Sequence, residues 1–244
     1  MFNLCSTIGL NSSIKNFHFY GDFKRGRGDF VNKFLKVTLI VVGVIVVGIA
    51  IIVFSFFQSM KPDKDKIEKA KVQAEEYVED KFNNNFEIDD IVYDNMGNSN
   101  FEYGAKVRDK KNNITFYVYF SEADEKMVDT YVADKWADDL DNEIRSYIKR
   151  NFGETTDFSV YYGDTIGEEL GIDSINPGSY KDFNVATNIR ITIPRKKSGE
   201  DEKLFNEFIS FLKSEIKLQQ GIVIVGYVAE NGVWLEDDEW SREF

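Results

Sequence analysis

Carboxylates are the plentiful reactive groups of this chain, 42 Asp and Glu against 30 Lys and Arg in 244 residues. Paired carboxylates placed across a sugar can hydrolyse a glycosidic bond. One acidic cluster, Asp134, Asp138, Asp139, Asp141 and Glu143, is where such a pair would be sought. Its spacing fixes no pair, and a solvated helix face accounts for it more simply. Oxygen ligands also suit calcium. The D-x-[DN]-x-[DN]-G loop of an EF-hand is absent, which leaves only an irregular site within 138–143 or 236–239. The expectation is therefore no catalytic residue, no metal centre and no cofactor.

The only cysteine, Cys5, and the only histidine, His18, both precede a long apolar stretch. Everything after it lacks thiol and imidazole, which removes Cys/His dyads, Ser-His-Asp triads, Cys/His zinc sites and disulfides from that part. No glycine-rich phosphate loop or nucleotide fingerprint appears. Six of the 30 basic and two of the 42 acidic residues lie before the stretch, leaving 24 against 40 after it, a formal charge of −16. Nucleic acid is held largely by Lys and Arg neutralising phosphates, so it is not an expected partner. Anionic headgroups are disfavoured for the same reason. Solubility is the plain reading of that charge, although a basic protein partner would suit it.

Val37 to Phe57 is the apolar stretch, 21 residues without an ionisable side chain. At about 1.5 Å per residue, about 20 helical residues cross a hydrocarbon core of about 30 Å. Residues 37–57 are read as a transmembrane helix that anchors the chain in the lipid bilayer. Lys15, Lys24, Arg25, Arg27, Lys33 and Lys36 precede it, while Lys61 to Lys66 are mixed in sign. That bias predicts a single-pass protein of the cell membrane, with residues 1–36 a cytoplasmic tail and the C-terminal part extracellular. A cleaved signal would have an apolar run of about 7–15 residues and small residues at its end. This run is longer and closes on bulky Phe56 and Phe57, so an uncleaved signal anchor is expected. With no intramembrane charge and no G-x-x-x-G face, anchoring suffices as its role.

Beyond the span, Pro62 suits the first turn of a helix. Ile67, Ala70, Ala74, Tyr77, Val78 and Phe82 recur at three- and four-residue steps, which predicts an amphipathic helix. Phe86–Tyr93, Phe101–Arg108 and Ile114–Phe120 read as strands, with turns at Asp94–Asn100 and Lys110–Asn113. Connections this short predict an antiparallel meander. Ser121-Glu-Ala-Asp124 reads as a capping box opening a long helix. Val128, Val132, Trp136, Leu140, Ile144, Ile148 and Phe152 follow at four-residue steps. Such a stripe drifts about 40° per step on a 3.6-residue helix, so the helix must meet different neighbours at its two ends or bend.

A strand over 158–162 is expected next, then a glycine-rich irregular segment, 163–185, with one helical turn near Glu168. Ile189, Ile191 and Ile193 alternate as a strand that Pro194 stops. Ser198-Gly-Glu-Asp201 opens another helix, which Gly221 is expected to end. Ile222–Val228 is apolar enough for a central strand. Val233–Leu235 is expected to pair with it through Asn231-Gly232, with Trp234 in the core and 236–244 an acidic tail.

The fold class read from this pattern is α+β. One N-terminal transmembrane helix precedes an extracellular domain of antiparallel sheet packed with amphipathic helices, either a single body or two tandem units, 61–121 and 122–244. Ser121–Lys126 and Ser198–Lys203 agree at four of six positions, which fits an internal duplication or simply the shared grammar of helix starts. Element order and the Phe101–Phe120 hairpin pattern give residues 65–121 a resemblance to the cystatin-like and PepSY-like domains of exported bacterial proteins. The whole chain resembles uncharacterised signal-anchored membrane proteins of Gram-positive bacteria. The resemblance implies a scaffold and names no functional residue. The function expected is a non-catalytic, outward-facing domain that binds a secreted or membrane protein partner. Asp138, Asp139, Asp141, Tyr180 and Trp240 are its expected contact residues. The alternative is a cell-wall glycan enzyme working through carboxylates.

Overall fold

The computed structural model describes residues 23–82, 85–153, 156–229, 231–235 and 239–244. Two compact units meet at Lys61 and Pro62 in the sequence. In the first, α1 (Phe23–Ser59) is one continuous helix containing the whole apolar stretch. Its large apolar side chains from Phe34 to Phe57 stand exposed. It is long and apolar enough to cross a membrane. Because α1 begins at Phe23, part of the expected tail is helical; Cys5 and His18 lie outside the described residues.

The second unit, Pro62–Phe244, is α+β with two four-stranded sheets. Its first helix, α2 (Lys64–Lys81), starts where the Asp63 carboxylate accepts the Asp65 and Lys66 amides. Pro62 therefore precedes the cap rather than sitting in the first turn. β1 (Phe86–Tyr93), β2 (Tyr103–Asp109), β3 (Ile114–Ser121) and β4 (Lys126–Asp129) pair successively as an antiparallel meander. Ala74 and Val78 of α2, with Phe82 at its C-terminal cap, pack against Ala105, Val107, Ile114, Phe116 and Val118. Burial alternates along β2 and β3 because successive strand residues point to opposite faces.

The segment read as a capping box is the turn into β4. The Ser121 hydroxyl donates to the Asp124 carboxylate (2.7 Å) and accepts the Asp124 amide (3.3 Å). These are the bonds of a helix start, but a tight turn uses them equally. Pairing of Lys126–Ser121 through Asp129–Val118 then captures the chain as a strand. The long helix begins later, as α3 (Tyr131–Phe152). From Val132 onward its four-step stripe is buried as expected. Tyr131 joins the core beneath α2, while Val132 to Phe152 belong to a second, larger core. The stripe from Val132 to Phe152 thus lies in one core, and it is Tyr131, outside the stripe, that reaches the other.

That second core lies under the second sheet, β5 (Asp157–Tyr161), β6 (Ala186–Ile193), β7 (Gln220–Tyr227) and β8 (Trp240–Glu243), in that spatial order. Within the 163–185 segment α4 (Ile166–Glu169) supplies the single expected helical turn. The expectation of a wholly antiparallel sheet needs correction, because β6 and β7 are parallel. Parallel neighbours require a long crossover, and α5 (Asp201–Phe211), extended by a π-turn to Ile216, is that crossover. Lys217, in the left-handed conformation at φ 70°, ends this helix; Gly221 is already inside β7. The acidic tail contributes β8, and Val233–Leu235 pairs back on the end of β7 through the Asn231-Gly232 turn: Val228 bridges Trp234, the Leu235 amide donates to the Tyr227 carbonyl (2.9 Å) and the Ala229 amide to the Val233 carbonyl (2.8 Å). The matching hexapeptides thus sit in a hairpin turn and at a helix start, and the two sheets differ in connectivity.

Candidate binding groove and buried carboxylates

A groove of about 780 Å³ lies between the first half of α2, the 94–102 loop and the β3–β4 turn. Lys66, Lys69, Phe101, Tyr103, Tyr119 and Phe120 are among the residues lining it. The Tyr103 ring stacks on Tyr93 at 4.8 Å, and its hydroxyl accepts the Asp63 amide at 2.9 Å, which ties the start of α2 to the sheet. Lys66 Nζ bonds Glu102 at 3.0 Å and stands 5.4 Å above the Tyr103 ring. Phe101 lies over Gly104, where a Cβ would come within 2.6 Å of the ring. Only glycine lets that ring approach β2, and its position brings it 4.9 Å from Tyr119. Phe120, 42 % exposed, stands free at the wall. Charged and amide side chains, among them Lys69, Gln73, Asn95 and Asn100, share the lining with these rings, so the wall is mixed in character.

Three acids line the groove; Glu122 is exposed, and the other two, Asp94 and Glu102, are committed. Asp94 accepts the amides of Met96 (2.8 Å) and Ser99 (2.5 Å), and these bonds hold its carboxyl below the ordinary carboxylate range. Glu102 is paired with Lys66. A glycosidase needs one carboxyl raised enough to donate a proton, and Asp94 is shifted the opposite way. Two carboxyls elsewhere are raised. Burial pushes Asp134 up to about 6, against a bond from the Thr130 hydroxyl and with the charges of Asp164 and Asp129 adding to it. Burial also raises Asp141, against the pull of Arg145. Neither lines the groove.

Three further carboxylates are buried and saturated with donors. Asp129, with its side chain 2 % exposed, accepts from the Tyr77 hydroxyl (2.7 Å), Lys81 Nζ (2.7 Å), the Ser174 hydroxyl (3.0 Å) and the Tyr131 amide (3.0 Å). It bolts α2, α3 and the 163–185 segment together. Asp109 accepts from the Tyr131 hydroxyl at 2.8 Å and from the turn at Lys111 and Asn112. Burial and the Asp109 bond raise Tyr131 to about 12. Asp201 takes a forked pair from Arg195 (2.7 and 2.8 Å), the Tyr227 hydroxyl (2.7 Å) and the Ser198 amide (2.8 Å). Burial opposes its charge, yet these donors hold it at about 2. Filled lone pairs make all three structural groups. Asp-x-x-Asn at 109–112 and Ser-x-x-Asp at 198–201 were local signals for two of them; Asp129 had none.

Of the expected contact residues, Asp138, Asp139 and Asp141 share α3. Asp138 is exposed and accepts from Asn142, while Asp139 pairs with Lys135 and Asp141 with Arg145, each one turn along. Lys181 pairs with Glu143 at 2.6 Å, tying the 163–185 segment to this helix. Tyr180 is a correction: at 2 % exposure it belongs to the second core beside Tyr162 and presents no contact surface. Trp240 is half-buried on β8 with its ring 4.6 Å from Phe205. Trp234, expected in the core, is instead 47 % exposed. Among the described residues no group of three or more acids, His or Cys is placed to hold a metal; residues 236–238 of the second calcium reading lie outside them. No family model matches the chain, and neither a curated protein nor a solved structure matches it.

Proposed function

We propose that this is a single-pass protein of the cell membrane, with its N-terminus in the cytoplasm, whose Pro62–Phe244 body faces outward and binds a protein partner without catalysis. The groove between α2 and the β3–β4 turn carries the reading: it sets the Phe101 and Tyr103 rings and an exposed Phe120 among polar side chains, and two of its three acids, Asp94 and Glu102, are already bonded within the protein. A protein segment that inserts an apolar side chain beside Phe120 and Phe101 fits it. The basic flank of α1 supports the orientation.

The test compares tagged full-length protein with the Phe120→Asp variant, each captured from gently solubilised membranes of its host. A stoichiometric partner retained by the first and lost by the second is the expected result. A partner kept equally by both removes the groove from the assignment. Release of sugars from cell wall by purified protein would favour the carboxylate-enzyme alternative instead. Orientation is read from Cys5, which should react with an impermeant thiol reagent only after the cells are opened.

A further inference from the structure

The second sheet has two faces of opposite character. Ile189, Ile191 and Ile193 of β6 and Val223, Val225 and Tyr227 of β7 are buried in the core with α3 and α5. Alternation sends the intervening residues to the other face, and the register sets them in three rows. Tyr161 begins one row, which ends with Ile222 beside Glu243. Ser159 begins the next, where Arg190 lies beside Ile224. Asp157 begins the third, which ends at Gly226 with the Trp234 indole laid over it. Tyr161 and Trp234 are exposed, and Ile222 and Ile224 are half-buried.

Both signs of charge stand on this face, and their placement selects its occupant. Arg190, Asp157 and Glu243 are exposed, and none forms an ion pair with the described residues. β6 and β8 flank β7, with Arg190 level with Ile224 and Glu243 level with Ile222. The midpoint between the two charged positions therefore falls on β7, between Ile222 and Ile224. The positions are about 12 Å apart, from two strand spacings and two residue steps. Take a two-fold axis in the plane of the face, through that midpoint and square to the line joining them. It sets Arg190 of each copy opposite Glu243 of the other, making both ion pairs at once, as an isologous contact must. Ile222 and Ile224 meet their counterparts at the centre, and Tyr161 and Trp234 lie toward the two ends of the axis. Asp157, at a corner, falls outside the contact and stays in water. An apolar surface would instead desolvate both charges and return nothing. We infer that the outer face of the second sheet joins two copies of this chain in a symmetric dimer. The face is roughly 20 Å on a side, about half the 800 Å² per partner of a standard interface. A shared bilayer offsets that by concentrating the copies, so the inference rests on the membrane anchoring proposed above. The formal charge of −16 repels two bodies at long range, but salt screens it beyond about 8 Å and leaves the matched pairs at contact.

Cross-linking of full-length protein in isolated host membranes tests this. On a Cys5→Ser background, Ile224→Cys places a thiol near its own copy across the axis. A short, membrane-permeant bismaleimide should join the two chains there, whichever side the body faces. Asp138→Cys, on the exposed flank of α3, should give no product. Arg190→Glu and Glu243→Arg, each added to the Ile224→Cys protein, should cut the cross-linked fraction about tenfold, because each sets like charges opposite at two symmetric contacts. Combining Arg190→Glu with Glu243→Arg should restore the product, which also shows that the exchanged positions leave the body folded. Phe120→Asp should change nothing, keeping the dimer separate from the groove. No product from Ile224→Cys, equal product from Asp138→Cys, single exchanges without effect, or a double exchange that restores nothing would each overturn the dimer. Protein released from the membranes by an alkaline wash would remove the anchor instead, and the same charge exchanges are then read on the released chain.

Discussion

The first sheet is a meander, β1 to β4 joined by turns and covered by α2; the second carries α5 between its parallel neighbours β6 and β7 and packs on both α3 and α5. Neighbours in space are neighbours in sequence throughout the first. In the second, β7 must find β6 after a helical crossover, and β8 must find β7 after the 228–239 segment. Each sheet is also bolted by a buried carboxylate, Asp129 beneath the first and Asp201 beneath the second. The difference is instructive: a meander closes from short loops, whereas the crossover sheet depends on contacts that form only when the whole unit does. α3 joins them, giving Tyr131 to one core and Val132–Phe152 to the other.

The largest effect is expected at that shared helix. Trp136→Ala removes a fully buried indole and should cost about 3–5 kcal/mol in chemical denaturation. Hydrogen exchange should then show both sheets losing protection together. Retained protection in β1–β4 alone would separate the two halves. Asp129→Ala comes next, at about 3 kcal/mol, because it leaves Tyr77, Lys81 and Ser174 without their common acceptor. A loss under 1 kcal/mol would mean that the bolt is dispensable.

The two buried titrations should have opposite signs. Asp201 is depressed to about 2 from an ordinary 3.8, so its stabilisation is complete above pH 4 and is lost as pH falls toward 2. Asp201→Asn should flatten that acid limb. Asp134 is raised to about 6, so the folded protein holds that proton more tightly than the unfolded chain. Its contribution is largest below pH 4 and fades as pH rises toward 6. Asp134→Asn should therefore remove the slope and stabilise the protein by about 1 kcal/mol at pH 7. Denaturation midpoints between pH 3 and 7 separate the two. The smallest effect belongs to Asp138→Ala, within about 0.5 kcal/mol, since the residue is exposed and bonds only Asn142.

Much of the first sheet was legible because its signals are local. The α2 stripe, the alternation in β1 to β3 and the glycine turn at Gly97 each fall within a few residues of their consequence. Ser121–Asp124 misled because a helix cap and a hairpin turn use the same hydrogen bonds, and only pairing with β3 distinguishes them. Trp234 and Tyr180 exchanged their expected places. Hydrophobicity ranks a residue's preference for burial, but Trp234 follows a hairpin that lays it on the outer face at Gly226. Tyr180 sits in a loop that folds inward over Trp136, whose indole nitrogen donates to the Gly178 carbonyl at 3.2 Å.

The sequence by itself determined the apolar helix, the α+β class and the unbroken core stripe of α3, since periodicity and length are properties of the chain alone. Tertiary structure decided the parallel pairing of β6 with β7, the recruitment of the tail as β8, which acids are buried, and the groove beside α2. Those depend on which distant segments exclude water from one another, and no local pattern encodes that partner choice.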